Sequence, residues 1–394
     1  MVYKTFQPPI EWTPPDIFPT QIFKDAKEIA IDLETRDPNL KSKGPGYVRG
    51  DGETVGISIA CDGYADYFPF SHEAGFNFPK KRVIDFIKEI CALPCDKIFH
   101  NATYDVGWLH REGVTVKGRI IDTMIVAPLI NENLYWYTLN SLGQEYLQEG
   151  KSEAELRQAA EEWGVDPKAE MWRLPSAYVG TYAAQDAALT LKLWNHFKIH
   201  LEDQNLWNIF NLETDLFPAL FNMKLTGVRV DLERADGLKK QLVAKEQKLI
   251  KEVAKESGIK EVRIWAATSV AQVFDACKIP YNHTAKGAPS FTKAFLAGQK
   301  HPVAQMIMKI RELNKAHSTF IDTIIKHEHN GRIHADIRQL KGETGGTVTG
   351  RLSMSNPNLQ QVPARDKEIG PLIRSLFLPE EGQKWCSADF SQQE

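Results

Sequence analysis

Signals for secretion or membrane insertion are missing from the 394 residues of this chain. Its start, MVYKTFQPPIEWTPPDIFPT, has no apolar core followed by a small-residue cleavage site, so no signal peptide is predicted. No run reaches the length of a membrane span, since even the apolar stretch 120–130 contains Asp122. The five cysteines are odd in number and lack paired spacing. Reduced thiols, a cytoplasmic location and no membrane partner are therefore expected.

The chain also lacks a Gly-x-x-x-x-Gly-Lys-Ser/Thr loop, an internal repeat and an overall basic charge, its net charge being −3. The charge is unevenly spread, because residues 237–326 carry 16 Lys or Arg and 7 Asp or Glu, a net of +9. A basic stretch joined to an acidic remainder suits an element that follows phosphates beside a carboxylate-rich one. The alternative is a lysine-rich helix face that meets only solvent.

What the sequence does contain is a spaced set of four acids and one tyrosine. Residues 28–33 form an apolar run that ends in acids, which predicts a buried strand. Asp32 and Glu34 are two residues apart, so both carboxylates point to one face of that strand. Two like charges this close are unfavourable unless cations neutralise them. Carboxylate pairs of this kind favour Mg²⁺ or Mn²⁺.

The other members of the set lie on two predicted helices. A strand at 97–101 leads into a helix at 102–110, with Asp105 in its first turn and Asn101 as its predicted N-cap. A further helix is predicted over 176–200, where Tyr182 and Asp186, four residues apart, share one face. Each cluster alone is compatible with surface acids and a core tyrosine. Together they favour a two-metal site that cleaves phosphodiesters.

Periodicity and turn signals predict further elements along the chain. The predicted helices cover 80–92, 122–130, 139–147, 201–226, 232–257 and 301–330, with a short strand at 228–231 and a turn-rich loop at 284–290. Gly227 and Gly258 stand where two of these helices should stop.

In this order and setting the acids and the tyrosine resemble the three motifs of the tyrosine-type DEDD 3′→5′ exonucleases. The second motif is matched by Asn101-x-x-Tyr104-Asp105 and the third by Tyr182-x-x-x-Asp186. The resemblance implies an α/β fold of the RNase H-like type, with a mixed central sheet flanked by helices. It also makes Asn101 a DNA contact.

The same resemblance implies a role for each acid at two metal ions about 3.5–4 Å apart. Asp32 would touch both ions, Glu34 and Asp186 the first ion, and Asp105 the second, directly or through water. Tyr182, with Glu34, would orient the attacking water.

A second resemblance lies in the last sixty residues. TVTGRLS at 347–353 and NPNLQQVP at 356–363 closely resemble the TGRLSS…PNLQNIP segment of family A DNA polymerases. In that family the segment follows the minor groove of the primer–template, where acceptors occupy similar places in every base pair. By resemblance Arg351, Asn358 and Gln360 contact that groove, whereas Gln361 replaces the usual Asn and receives no role. From the residues alone, a structural Gly/Asn/Pro turn is the alternative.

The residues WCSADFSQQE at 385–394 resemble polymerase motif A of the same family, usually written DYSQIE. Asp389, at the end of a predicted strand, would be the first of two metal-binding aspartates for nucleotide addition, and Glu394 would exclude the ribose 2′-hydroxyl. The fingers helix and the second palm aspartate do not appear, so no synthesis by this chain alone is expected. A second polypeptide that supplies fingers and palm, an intron or intein junction, and an artificially shortened chain are left open.

We therefore predict the N-terminal portion of a phage-type family A DNA polymerase. Its predicted parts are an extended arm (1–22), an RNase H-like 3′→5′ exonuclease domain (23–200), a palm-entry helix with a mainly helical thumb (201–330), and the first strands of an incomplete palm (331–394). The expected cofactor is a pair of Mg²⁺ or Mn²⁺ ions. The expected partners are single-stranded DNA 3′ ends, primer–template duplex and a second polypeptide. Two alternatives are a free-standing exonuclease acting on RNA, similar to RNase D, and a non-catalytic DNA-binding subunit of a partner polymerase.

Overall fold

The computed structural model describes residues 12–151, 153–343, 345–364 and 366–391. The strands are β1 (Glu28–Arg36), β2 (Glu53–Cys61), β3 (Tyr64–Pro69), β4 (Asp96–Phe99), β5 (Ile120–Asp122), β6 (Val228–Val230), β7 (Asn282–His283), β8 (Pro289–Ser290), β9 (Glu328–His329), β10 (Arg332–Ile333), β11 (Asp336–Arg338), β12 (Ser353–Ser355) and β13 (Phe377–Leu378). The α-helices are α1 (Thr20–Lys24), α2 (Leu40–Lys43), α3 (Lys80–Cys91), α4 (Ala102–Arg111), α5 (Thr123–Ile130), α6 (Leu139–Leu147), α7 (Ala154–Trp163), α8 (Gly180–Asp203), α9 (Trp207–Thr226), α10 (Leu232–Ser257), α11 (Ala267–Ala276), α12 (Lys293–Gly298), α13 (Pro302–Lys315), α14 (Asp322–His327) and α15 (Ile369–Arg374). A π-helical segment, Ala316–Ile321, joins α13 to α14, and 3₁₀ turns cover Met171–Arg173, Ser176–Tyr178 and Leu359–Gln361.

The chain divides into two compact units. The first unit is formed by the described residues of 1–226 and 335–356, and the second by those of 227–334 and 357–394. The four predicted parts, with boundaries at 22, 200 and 330, stay a prediction. All five cysteines are free thiols. No helix in the described ranges has the length and apolar character needed to cross a membrane.

The first unit is a mixed sheet with helices on both faces, which confirms the predicted α/β class. The strand order is β3-β2-β1-β4-β5, with β1 antiparallel to β2 and parallel to β4. On one face Ile29, Ile31 and Leu33 join the core formed with α3 and α4. On the other face Ala30 joins the core formed with α5, α6 and α8. Because side chains alternate along a strand, the even-numbered residues of β1 belong to the α8 side.

Residues 335–356 belong to the first unit although 227–334 intervene in sequence. There β11 pairs antiparallel with β12. The buried Lys224 of α9 forms an ion pair with Asp336 of β11, and Asn356 donates a hydrogen bond to the same carboxylate. This polar cluster holds the β11–β12 hairpin against the end of α9.

The second unit is mainly helical and contains a small antiparallel sheet of order β13-β6-β10-β9. Its long helix α10 begins after Asp231, whose side chain accepts a hydrogen bond from the Arg234 amide, and ends before Gly258 at a φ of 71°. Asp231 is thus an N-cap and Gly258 a left-handed C-cap, so the predicted bounds 232–257 are confirmed.

Helix α10 presents lysines on the side away from its core contacts. Its buried residues are Ala235, Leu238, Leu242, Glu246 and Val253. At 100° per residue, Lys240, Lys248, Lys251 and Lys255 lie within about 80° of one another on the opposite side, and all four are exposed. We call these four residues the lysine face.

Three sequence predictions need correction. The helix predicted over 201–226 is two helices, because α8 ends at Asp203 and α9 begins at Trp207, with Asn205 between them in a left-handed conformation. The helix predicted over 301–330 contains the π segment and ends at His327. The strand predicted to end at Asp389 is absent from the described chain, where the residues after β13 form no ladder and leave Trp385 and Phe390 exposed.

Candidate metal centre

The centre of the acid set is β1, whose alternation places Asp32 and Glu34 on the side of α8. Helix α8 carries Tyr182 and Asp186 one turn apart, and Asp186 is buried. One carboxylate oxygen from each of Asp32, Glu34 and Asp186 lies within 4.8 Å of the others. The strand-plus-helix pattern in the sequence thus brings these three acids together.

Asp105 reaches the same end of β1 from the other face of the sheet. It lies in the first turn of α4, is buried, and accepts a hydrogen bond of 3.1 Å from the Leu33 amide. Leu33 separates the two acids of β1, so this contact fixes Asp105 beside them. Asp105 is not one of the three acids that meet within 4.8 Å.

Asn101 is the N-cap residue of α4, as predicted, but its side chain does not cap the helix. It occupies the N-cap position with φ 70° and ψ 52° and its side chain makes no capping hydrogen bond. The Asp122 carboxylate accepts hydrogen bonds from the amides of Asn101 and Ala102 instead, and also from the Met124 amide at the start of α5. One buried carboxylate therefore caps two helices, and the Asn101 side chain is left exposed.

Lys151 is part of the centre and was missed by the sequence predictions. Its ammonium forms an ion pair with Asp186 and donates a hydrogen bond of 3.1 Å to the Tyr182 hydroxyl. Lys151 lies in a loop after α6, so neither periodicity nor motif spacing could indicate it.

Side chains of β2 and β3 lie close to the acids of β1. The Ser58 hydroxyl on β2 donates to the Asp32 carbonyl at 3.2 Å. Gly56 leaves room for the Tyr67 hydroxyl, which would lie 2.1 Å from a Cβ added at Gly56. That hydroxyl is hydrogen-bonded to the His72 ring at 2.7 Å. A side chain at position 56 would displace this buried pair.

Burial and mutual repulsion shift the acids in one direction. Burial, followed by the charge of Asp186, raises the pKa of Asp32 to about 7. Burial together with Asp32 raises the pKa values of Glu34 and Asp105 well above their usual range. Burial also raises the pKa of Asp186, against the opposing effect of Lys151. The buried carboxylates therefore repel one another when they are ionised, and added positive charge would reduce this repulsion.

These raised pKa values predict that the stability of the folded chain depends on pH in the presence of a chelator. A carboxyl whose pKa is higher in the folded chain keeps its proton longer than in the unfolded chain, so stability falls as pH rises from about 4 to about 7. In EDTA, Asp32→Asn should therefore gain stability relative to the wild type between pH 5 and pH 8. Urea unfolding at both pH values measures the gain. The lowered pKa values of His72 and His100 affect both proteins alike, and parallel pH curves would contradict the assigned shift.

The donor set fits a hard divalent cation. It consists of carboxylate oxygens without thiol or imidazole, which suits Mg²⁺ or Mn²⁺. In addition, the buried Oδ1 of Asp186 accepts no hydrogen bond from the described residues. A buried oxygen without a donor is costly unless a ligand satisfies it.

The described residues of the second resemblance do not belong to the cluster of Asp32, Glu34 and Asp186. Arg351 is exposed in the first unit, before β12. Asn358 and Gln360 are exposed in the second unit, where the Asn358 side chain accepts a hydrogen bond of 3.1 Å from the Gln360 amide and so caps a 3₁₀ turn. Asp389 is exposed in an irregular segment and joins no metal-type cluster among the described residues. Glu394 lies outside the described residues.

Comparisons with known proteins match the N-terminal and C-terminal parts of the chain to two different family models, and the motifs assign these parts in the same way. Residues 20–202 match the family model "3'-5' exonuclease", and residues 232–394 match "DNA polymerase family A". The DNA-directed DNA polymerase of Pseudomonas phage M6 is 36% identical over 98% of this chain and 61% of its own length. The DNA polymerase DpoZ of Salmonella phage PMBT28 is 32% identical over 96% and 62%.

Bacterial relatives extend the same pattern. DNA polymerase I of Chloroflexus aurantiacus is 29% identical over 86% of this chain and 36% of its own length. In structure, the polymerase domain of Pol1 from M. smegmatis, solved with DNA primer–template and dNTP, has a TM-score of 0.71 at 20% identity, over 94% of this chain and 58% of that one. At this identity the likeness shows the fold.

The chain spans about three fifths of the length of the two phage relatives. Within that span both family models match, and the exonuclease match contains every acid of the metal-type cluster. The chain therefore belongs to DNA polymerase family A, and residues 20–202 form its 3′→5′ exonuclease domain.

Proposed function

We propose that this chain is the proofreading part of a replicative DNA polymerase, which removes nucleotides from DNA 3′ ends by two-metal hydrolysis. The observation that carries the proposal is the convergence of Asp32, Glu34 and Asp186 within 4.8 Å inside a domain of the exonuclease family. Asp105, held at Leu33, is the fourth acid of the set.

The chemistry follows from what each side chain can do. Asp32, Glu34 and Asp186 would hold the divalent ions, and Asp105 would add a fourth carboxylate next to Asp32. When bound, such ions activate water and stabilise the leaving 3′ oxygen. Tyr182 lies one helical turn from Asp186, and its hydroxyl accepts a hydrogen bond from Lys151. Burial, with Asp186 next, raises the pKa of Tyr182 well above its usual range. The phenol therefore stays protonated, so its O–H can orient the attacking water.

The test is degradation of a 5′-labelled oligonucleotide with Mg²⁺ or Mn²⁺ and with EDTA. We expect metal-dependent shortening from the 3′ end with release of nucleoside monophosphates. A duplex with a mismatched, frayed 3′ end should be degraded faster than a matched one, because the terminal nucleotide must leave its partner strand. Equal or faster degradation of RNA would favour the RNase D-like alternative. No metal-dependent nuclease activity would favour the DNA-binding subunit.

We further propose that the lysine face of α10 binds duplex DNA through its phosphates. Four exposed lysines on one side of a helix form a positive strip, and no ion pair within the described chain is seen for Lys248, Lys251 or Lys255. Lys239 lies off this strip and pairs with Asp322 at 2.7 Å. It is therefore the natural control.

If four to six phosphates are neutralised, log K against log salt should slope at about −4 to −5. Replacing Lys248, Lys251 and Lys255 together by glutamine should flatten that slope by about 3, since each phosphate contributes about 0.9. Fluorescence anisotropy with two unrelated duplex sequences measures slope and sequence preference. Lys239→Gln should leave the slope unchanged, and an unaltered slope in the triple variant would place the lysine face away from DNA.

For the complete polymerase we propose template-directed synthesis. The support is the match of residues 232–394 to the polymerase family and the two phage relatives, which extend beyond the span of this chain. Asp389 would hold a metal ion for nucleotide addition, Glu394 would select deoxyribose, and Arg351, Asn358 and Gln360 would contact the minor groove. Synthesis by the complete polymerase would also need fingers and the rest of the palm, in the same or a second polypeptide. Primer extension with and without that part, using Asp389→Ala, tests this assignment.

A further inference from the structure

The Lys151 side chain occupies a position that the fold has built for it. Its amide donates to the Asn140 side chain at 2.8 Å, which ties it to α6. The carbonyl of Gly150 accepts from the Gln185 side chain at 3.1 Å, which ties the loop to α8 directly beside Asp186. Lys151 is therefore anchored to both helices that flank it.

The ammonium of Lys151 contacts the acid cluster. Its side chain is only 15% exposed, and Nζ lies 5.0 Å from the centre of the Tyr182 ring. It contacts Oδ2 of Asp186, whereas Oδ1 of the same carboxylate accepts no hydrogen bond within the described chain. One oxygen of the third acid is thus already held by a cation of the chain itself.

The charges around Lys151 mean that its contact with Asp186 affects both the repulsion among the acids and the approach of a divalent cation. Asp32, Glu34 and Asp186 converge within 4.8 Å, and Asp105 lies beside them. Lys151 is the cation that contacts this set within the described chain. A single positive charge offsets part of the repulsion among four carboxylates, and it also repels any divalent cation that approaches the same oxygens.

We propose that Lys151 is a built-in counter-cation of the exonuclease centre, which stabilises the metal-free chain and yields Asp186 to a divalent ion on binding. Lys151 thereby sets the ion concentration at which the centre fills. This inference rests on the proposed metal-dependent function. It concerns ion binding, however, and is tested without measuring nuclease activity.

The experiment compares wild type, Lys151→Met, Lys151→Arg and Lys192→Met. Methionine keeps the length of the side chain without its charge, and arginine keeps the charge. Lys192 pairs with Glu149 at 2.6 Å, but both side chains are about half exposed, so Lys192→Met is a matched control outside the centre. Mn²⁺ binding is followed by the electron paramagnetic resonance signal of the free ion at pH 8. Thermal unfolding is followed in EDTA and in saturating Mn²⁺.

Lys151→Met should bind Mn²⁺ roughly ten- to a hundredfold more tightly than wild type, the range expected for removing one charge about 4 Å away at a partly hydrated site. Its Tm in EDTA should fall by several degrees, and saturating Mn²⁺ should restore it to the metal-bound wild-type value. Lys151→Arg and Lys192→Met should bind Mn²⁺ like the wild type.

Equal or weaker Mn²⁺ binding by Lys151→Met would overturn the inference and leave the proposed function standing. A Tm loss that persists in saturating Mn²⁺ would likewise overturn it, because Lys151 would then be only a packing residue. If neither wild type nor Lys151→Met binds Mn²⁺, the metal centre itself fails, and the inference fails with it.

Discussion

Asp32→Ala should lower the rate of 3′→5′ degradation at least about 10²–10³-fold, the scale on which one preorganised electrostatic group contributes to catalysis. Asp32 is central because its charge acts on both Glu34 and Asp105, and the charge of Asp186 on α8 acts on Asp32. Replacing Asp32 therefore removes the carboxylate that interacts with each of the other three acids. Glu34→Ala and Asp186→Ala should lose activity on the same scale.

Tyr182→Phe should lose less activity, because the phenol is proposed to position water, whereas the carboxylates proposed to hold the ions remain. Single-turnover rates on a 5′-labelled single strand separate the chemical step from product release. Asp85→Ala is the matched control, because Asp85 lies on α3 in an exposed ion pair with Lys81. Near-normal activity of Asp32→Ala, in a preparation free of host nucleases, would refute the assignment of the metal centre.

The parts of this centre that sequence could predict are those set by local periodicity. An alternating strand fixes Asp32 and Glu34 on one face, and a spacing of four fixes Tyr182 and Asp186 on one helical face. Both relations hold within a single element and need no knowledge of its neighbours. For the same reason the bounds of α10 follow from its own caps, Asp231 and Gly258.

The parts that sequence could not predict depend on contacts between distant segments. Asp122 caps α4 from 20 residues further along the chain, because the parallel pairing of β4 with β5 places it beneath that helix. Lys151 reaches Asp186 only because its loop is tied to both α6 and α8. No local pattern marks either residue, since an acid after a strand and a lysine in a loop are common.

Residues 335–356 belong to the first unit although residues 227–334 separate them from it in sequence. No local sequence pattern indicates this arrangement. Motifs assigned this segment to the beginning of a palm, and its β11–β12 hairpin packs with the unit that contains the exonuclease domain. The tie is made by side chains that are 112 residues apart, Lys224 and Asp336. Their ion pair is therefore expected to control how firmly the hairpin is held.

Lys224→Met should cost about 3–5 kcal/mol of unfolding free energy, the range for breaking a buried ion pair by removing one partner. The Lys224 and Asp336 side chains are only 3% and 12% exposed, so the aspartate left behind cannot be solvated well. Asn356 would still donate to it. Urea unfolding with probes in each unit should show the transition of the first unit moving and that of the second unit staying in place.

A double-mutant cycle separates the charge from the packing. Lys224→Met combined with Asp336→Leu removes both charges, so the double variant should be less destabilised than the sum of its parts and can approach the wild type. Lys240→Met is the control at an exposed pair, with Asp236, and should leave the stability nearly unchanged. A loss below about 1 kcal/mol for Lys224→Met would mean that apolar packing, rather than this pair, holds the hairpin.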